Sequence, residues 1–111
     1  MGLKTAGEKK QTDEHILVCL SAAPSNQKIV DTAAKMANAL KARFTALYVQ
    51  TGTKSEDLDK EKLEEHIRYA EKLGAEIVMT HGENIPVQIA EYARLSNVTK
   101  IVIGQSNARR N

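Results

Sequence analysis

Two short runs in the chain are apolar at every position, and each empties into small polar residues. Ile16-Leu17-Val18-Cys19-Leu20 leads into Ser21-Ala22-Ala23-Pro24-Ser25-Asn26, and Ile101-Val102-Ile103 leads into Gly104-Gln105-Ser106-Asn107. A strand apolar on both faces is expected to be buried on both, as in a parallel sheet covered by helices. The first of these strands runs from about His15 to Leu20. A helix follows over Gln27 to Leu40, with Val30, Ala33, Ala34, Ala37 and Leu40 at helical spacing and Ser25 or Asn26 as N-cap. Arg43 to Val49 is rich in aromatic and β-branched residues and reads as the second strand. A charged helix spans about Glu56 to Leu73, with Leu63, Ile67, Ala70 and Leu73 on one stripe and Gly74 at its stop. Glu76 to Thr80 is the third strand. Ile85 to Leu95 is the third helix, with Pro86 in its first turn and Ile85, Ile89, Tyr92 and Ala93 as its buried stripe. Lys100 to Ile103 is the fourth strand.

This alternation predicts an α/β fold with a doubly wound parallel sheet, because each crossover is long enough for a right-handed βαβ unit. The expected strand order is 3-2-1-4. Strands 1 and 4 then flank the topological switch point, beyond whose strand ends the ligands of open α/β sheets bind. Small residues there let a ligand approach the backbone closely. Ser21 to Asn26 and Gly104 to Asn107 become the two lips of one nucleotide-sized cleft. No helix or strand follows strand 4 before Asn111. The expected domain therefore lacks a final helix and strand, and its open edge awaits further chain or a second copy.

Composition narrows the function classes. A chain of 111 residues is one domain, and with no Trp and one Phe its core must be aliphatic. A formal net charge of +2 gives no electrostatic case for nucleic-acid or membrane binding. No apolar run approaches the roughly 20 residues that cross a bilayer. Residues 1–14 are polar, carry no signal-peptide core and read as a lead-in or linker to a domain over residues 15–111. Cys19 is the single cysteine, which excludes an internal disulfide. A cytoplasmic domain, or the cytoplasmic piece of a larger protein, is the expectation.

The phrases HILVCLS, RFTALYV, KLGAEIV, AEYAR and NVTKIVIG, spread over residues 15–108, resemble the universal stress protein family. Within it they are most similar to the universal-stress-protein-like domain of KdpD-type potassium-sensing histidine kinases. That resemblance implies a regulatory domain of a two-component sensor, lying in the cytoplasm ahead of membrane and kinase parts. It also implies two ligands. The ATP-binding members carry an Asp after strand 1 and a Gly-x2-Gly-x9-Gly-Ser/Thr run after strand 4. Here Ser21 stands at the Asp position, and no second Gly follows Gly104 at the required place. Some KdpD domains bind cyclic di-AMP through Ser-x-Ser, twenty residues, then Phe-Thr-Ala-x-Tyr. This chain has Ser21-Ala22-Ala23, twenty residues, then Phe44-Thr45-Ala46-Leu47-Tyr48, so only the second Ser is replaced. Losing that hydroxyl removes roughly 0.5–1.5 kcal/mol for a neutral hydrogen bond.

The expected ligand-binding set is Ser21, Ala22, Ala23, Ala46, Tyr48, Gly104, Gln105 and Ser106. Backbone amides of the two loops would hold phosphates and Tyr48 would contact a base. Each has a plainer reading: a tight strand-to-helix turn for Ser21 and Ala23, a rim tyrosine for Tyr48, a small core residue for Ala46. Phe44 and Thr45 are expected to pack in the sheet. Cys19 reads as a packed thiol and His81 as a solvated turn residue. Arg109 and Arg110 follow the second loop and could meet a phosphate or fray. His15, His66 and His81 show no metal spacing. No catalytic residues can be named, and no metal. The expected partners are a nucleotide second messenger (cyclic di-AMP before ATP), the remaining kinase domains and a second copy of the domain. Neither nucleic acid nor membrane insertion is expected. The competing reading is a protein-interaction module with an empty cleft; an ATP hydrolase ranks last.

Overall fold

The computed structural model describes residues 13–50 and 57–104. Its elements run β1 (His15–Cys19), α1 (Asn26–Leu40), β2 (Arg43–Gln50), α2 (Asp57–Lys72), β3 (Glu76–His81), α3 (Ile85–Leu95) and β4 (Lys100–Val102). All strand pairs are parallel and the order is β3-β2-β1-β4, as the alternation predicts. Gly74 ends the α2 segment at φ +100°, a conformation that strains any residue with a Cβ. Residues 105–111, with Gln105, Ser106, Arg109 and Arg110, lie outside the described part, as do residues 1–12.

The period-2 alternation of strand side chains builds two separate cores. Ile16, Val18, Leu20 and Ala46 point to the side covered by α1 and α2, where Val30, Ala33, Ala37 and Ala70 meet them. Leu17, Leu47 and Val49 point to the other side and pack on Ile89 of α3. The central strand β1 is sealed on both faces, with Ile16, Leu17 and Val18 fully buried.

The outer strand differs from expectation. β4 was expected to be covered on both faces, yet Ile101 is 43% and Ile103 53% exposed. Val102 alone faces α1 and packs into its core. The register places Ile101 beside Leu17, on the α3 side, where α3 leaves it exposed among the described residues. The same thin cover corrects the α3 stripe: Ile89 is buried, Tyr92 and Ala93 are half-buried, and Ile85 is 44% exposed. Leu73, placed on the α2 stripe, is also exposed.

Candidate functional site

The β1–β4 pairing, with Val18 opposite Val102, brings the chain segments after both strands to one edge of the sheet. Ser21 and Ala23 there are exposed, Ala22 is half-buried, and Gly104 is exposed. A Cβ at Gly104 would meet Ile29 Cδ1 of α1, the tip of a side chain that can turn aside. Tyr48, on the neighbouring strand, is half-buried and packs on the α1 and α2 side. Ala46 is fully buried in that core, level with Val18. At the usual strand rise it lies roughly 10 Å below the level of Ser21, which makes it packing beneath the cleft rather than lining. Thr45 is buried and spends its hydroxyl on the His15 ring, 2.8 Å away. Thus Phe44, Thr45 and Ala46 of the shared motif contribute to the sheet core.

Two polar side chains shape the first lip, and neither was assigned that role from the sequence. Asn26 does not cap α1; Ser25 holds that position, without a side-chain cap bond. Asn26 is instead 2% exposed, and its Nδ2 donates to the Cys19 carbonyl at 2.9 Å. The Leu20 N–H bonds the Leu47 carbonyl on β2. The Cys19 carbonyl of the same planar trans peptide must therefore point the opposite way, toward β4. The Asn26 amide takes the acceptor that a longer β4 ladder would use. Its Oδ1 is buried with no partner.

The second side chain is His66 of α2, 6% exposed, whose Nδ1 donates to the Ser21 carbonyl at 2.7 Å. The signal for it was register: residue 66 lies three after Leu63 and four before Ala70, inside the apolar stripe. A histidine on such a stripe must find a hydrogen-bond partner when buried. Within the loop, the Ser21 hydroxyl accepts from the Ala23 N–H at 3.2 Å, and the Asn26 N–H bonds the Ala23 carbonyl at 2.9 Å.

Burial pushes the Cys19 thiol up to about 11, so at neutral pH it is protonated and a poor nucleophile. Cys19 should therefore react with a disulfide reagent at pH 8 on the order of 100-fold more slowly in the native protein than in urea. Equal rates would show that the end of β1 is open to solvent. Among the described residues, no cluster of three or more His, Cys, Asp or Glu is placed to hold a metal ion. His81 is exposed at the end of β3. A separate depression of about 280 Å³, lined by residues such as Asn38, Lys41, Phe44 and Gly74, lies at the opposite end of the sheet. It starts where β2 begins, away from the switch point.

Comparison with known proteins agrees with the fold. The sensor protein KdpD of Clostridium acetobutylicum is 45% identical over 98 residues, which cover 88% of this chain and 11% of that protein. The chain thus spans about a tenth of the length of this curated relative. Among solved structures, a universal stress protein family member from Burkholderia pseudomallei superposes with a TM-score of 0.65 at 15% identity, covering 86% of this chain and 85% of that one. The universal stress protein of Archaeoglobus fulgidus in complex with dAMP gives a TM-score of 0.57 at 24% identity, covering 82% and 80%. At these identities the structural likenesses carry the fold alone. No protein-family model matches the chain.

Proposed function

Since the chain belongs to the universal-stress-protein-like domains of KdpD sensor proteins, we propose that it is the ligand-responsive module of a potassium-responsive sensor kinase. It binds an adenine nucleotide, cyclic di-AMP in preference to ATP, at the β1/β4 switch point. The observation that carries this reading is the adjacency of β1 and β4, with the small-residue loop Ser21 to Ala23 beside Gly104. The dAMP complex of a protein with the same fold supports the ligand class. Preference for cyclic di-AMP rests on the Phe44-Thr45-Ala46-Leu47-Tyr48 motif and on the absence of Asp at position 21.

Loop amides at Ser21 and Ala22 and at Gly104 to Ser106 hold phosphates, and Tyr48 contacts a base. Binding shifts the signalling state of the remaining kinase through differential affinity for its two states. The symmetric dinucleotide suits two copies of the domain sharing one ligand. The module binds rather than catalyses, and it acts in the cytoplasm. Among the described residues no helix is long and apolar enough to cross a membrane.

Isothermal titration with cyclic di-AMP and ATP tests this. Cyclic di-AMP is expected to bind more tightly. Ala23→Ser should strengthen it by roughly 2- to 12-fold, the worth of one neutral hydrogen bond. Affinity no better than high micromolar for both nucleotides overturns the proposal in favour of a protein-interaction module.

A further inference from the structure

We propose that His66 is a positioning residue for the nucleotide site: from α2 it sets the orientation of the Ser21–Ala22 peptide and so aims a backbone donor of the β1–α1 loop into the cleft. The inference rests on the nucleotide-binding reading above and names the residue that prepares that site. A carbonyl only accepts, so the 2.7 Å contact requires the hydrogen on His66 Nδ1. The chain has no cis peptides among the described residues. In a planar trans peptide the C=O and the next N–H point in opposite directions. Holding the Ser21 carbonyl toward α2 therefore turns the Ala22 N–H away from α2.

That N–H has no internal acceptor among the described residues, whereas the next one, Ala23 N–H, is taken by the Ser21 hydroxyl. A loop of small residues has no side-chain packing of its own to hold this orientation. Its constraint comes from outside: Asn26 ties down the Cys19 carbonyl and His66 the Ser21 carbonyl. Donors fixed in place before the ligand arrives reduce the ordering cost of binding. The contact also links the loop to α2, a separate element of the fold, so displacement of α2 would alter the site without touching it.

The test compares His66→Phe with His66→Asn in the 111-residue chain. Asn can place an amide donor near the Nδ1 position, and Phe retains bulk without a donor. Two readouts are used: amide hydrogen exchange of Ala23, whose N–H is held by the Ser21 hydroxyl, by NMR, and titration with cyclic di-AMP. His66→Phe should speed loop exchange and weaken binding roughly three- to tenfold, the equivalent of one hydrogen bond. His66→Asn should restore both toward wild type. A folded His66→Phe with wild-type loop exchange overturns the proposal, as does His66→Asn behaving like His66→Phe. If His66→Phe does not fold, His66→Gln against His66→Asn decides, because Gln carries its amide one bond further out. If the wild type binds no nucleotide, the functional reading falls while the exchange data still judge His66.

Discussion

Leu17→Ala is expected to remove about 2–5 kcal/mol of stability, read as a lower urea midpoint with little change in slope. Leu17 is fully buried on the central strand, flanked by Thr45 of β2 and Ile101 of β4 in register. It packs with Leu47, Val49 and Ile89, the whole buried part of the smaller core. Strand backbone on both sides prevents the site from collapsing, so the truncation leaves a cavity. Domains of this size hold only about 5–15 kcal/mol in total. The control is Ile101→Ala, on the same face one strand away and 43% exposed. It should cost under about 1 kcal/mol, because much of the side chain already contacts water. Equal losses at the two positions would show that the β4 edge is covered in solution.

The second large effect is expected at His15. His15 is 2% exposed; its Nδ1 donates to the Ser96 carbonyl at 3.0 Å, and its Nε2 bonds the Thr45 hydroxyl at 2.8 Å. Because Nδ1 must carry the hydrogen, Nε2 of the neutral ring accepts from Thr45. The main chain joins the same knot: His15 N–H donates to Thr99 Oγ1 at 2.9 Å, and Thr99 N–H returns to the His15 carbonyl. The Thr99 hydroxyl donates to Glu14 at 2.6 Å and, with Lys100, holds that carboxyl below its usual range. His15→Phe strands the Thr45 hydroxyl and the Ser96 carbonyl, for a loss of roughly 2–6 kcal/mol at 1–3 kcal/mol per unsatisfied group. Adding Thr45→Val removes one stranded group, so the double variant should be no less stable than His15→Phe alone. Additive losses in that cycle would show that the two side chains act independently. The knot lies at the end of the sheet opposite the cleft. Nucleotide affinity, measured where the variants remain folded, should therefore be unchanged.

The order of elements was legible in the residues because hydrophobic period and turn chemistry are local signals. Ile85 to Leu95 is a helix in both readings, and Asn84 caps it through its side chain to the Val87 N–H. The parallel, doubly wound sheet followed from crossovers long enough to be right-handed, and the 3-2-1-4 order expected for it is the one observed. The place of the candidate site came with it, since strand order alone defines a switch point. The content of the site was less legible. Ser21 and Gly104 sit where the pattern put them, but Ala46 lies beneath the cleft in the core. His66 and Asn26, which brace the loop, come from different helices.

By itself, then, the sequence determined the secondary structure, the parallel sheet and the edge at which the β1 and β4 loops meet, because each follows from periodicity and chain connectivity. Only the tertiary structure decided which polar groups are buried together. His15 with Thr45 and Ser96, and His66 with Ser21, are 30, 81 and 45 residues apart in the chain. Such pairs form where packing leaves a buried donor facing a buried acceptor, and no local pattern records that meeting. The exposure of Ile101 and Ile103 was decided in the same way. Their apolar run marks a strand, but how much of it is covered depends on what lies across the sheet.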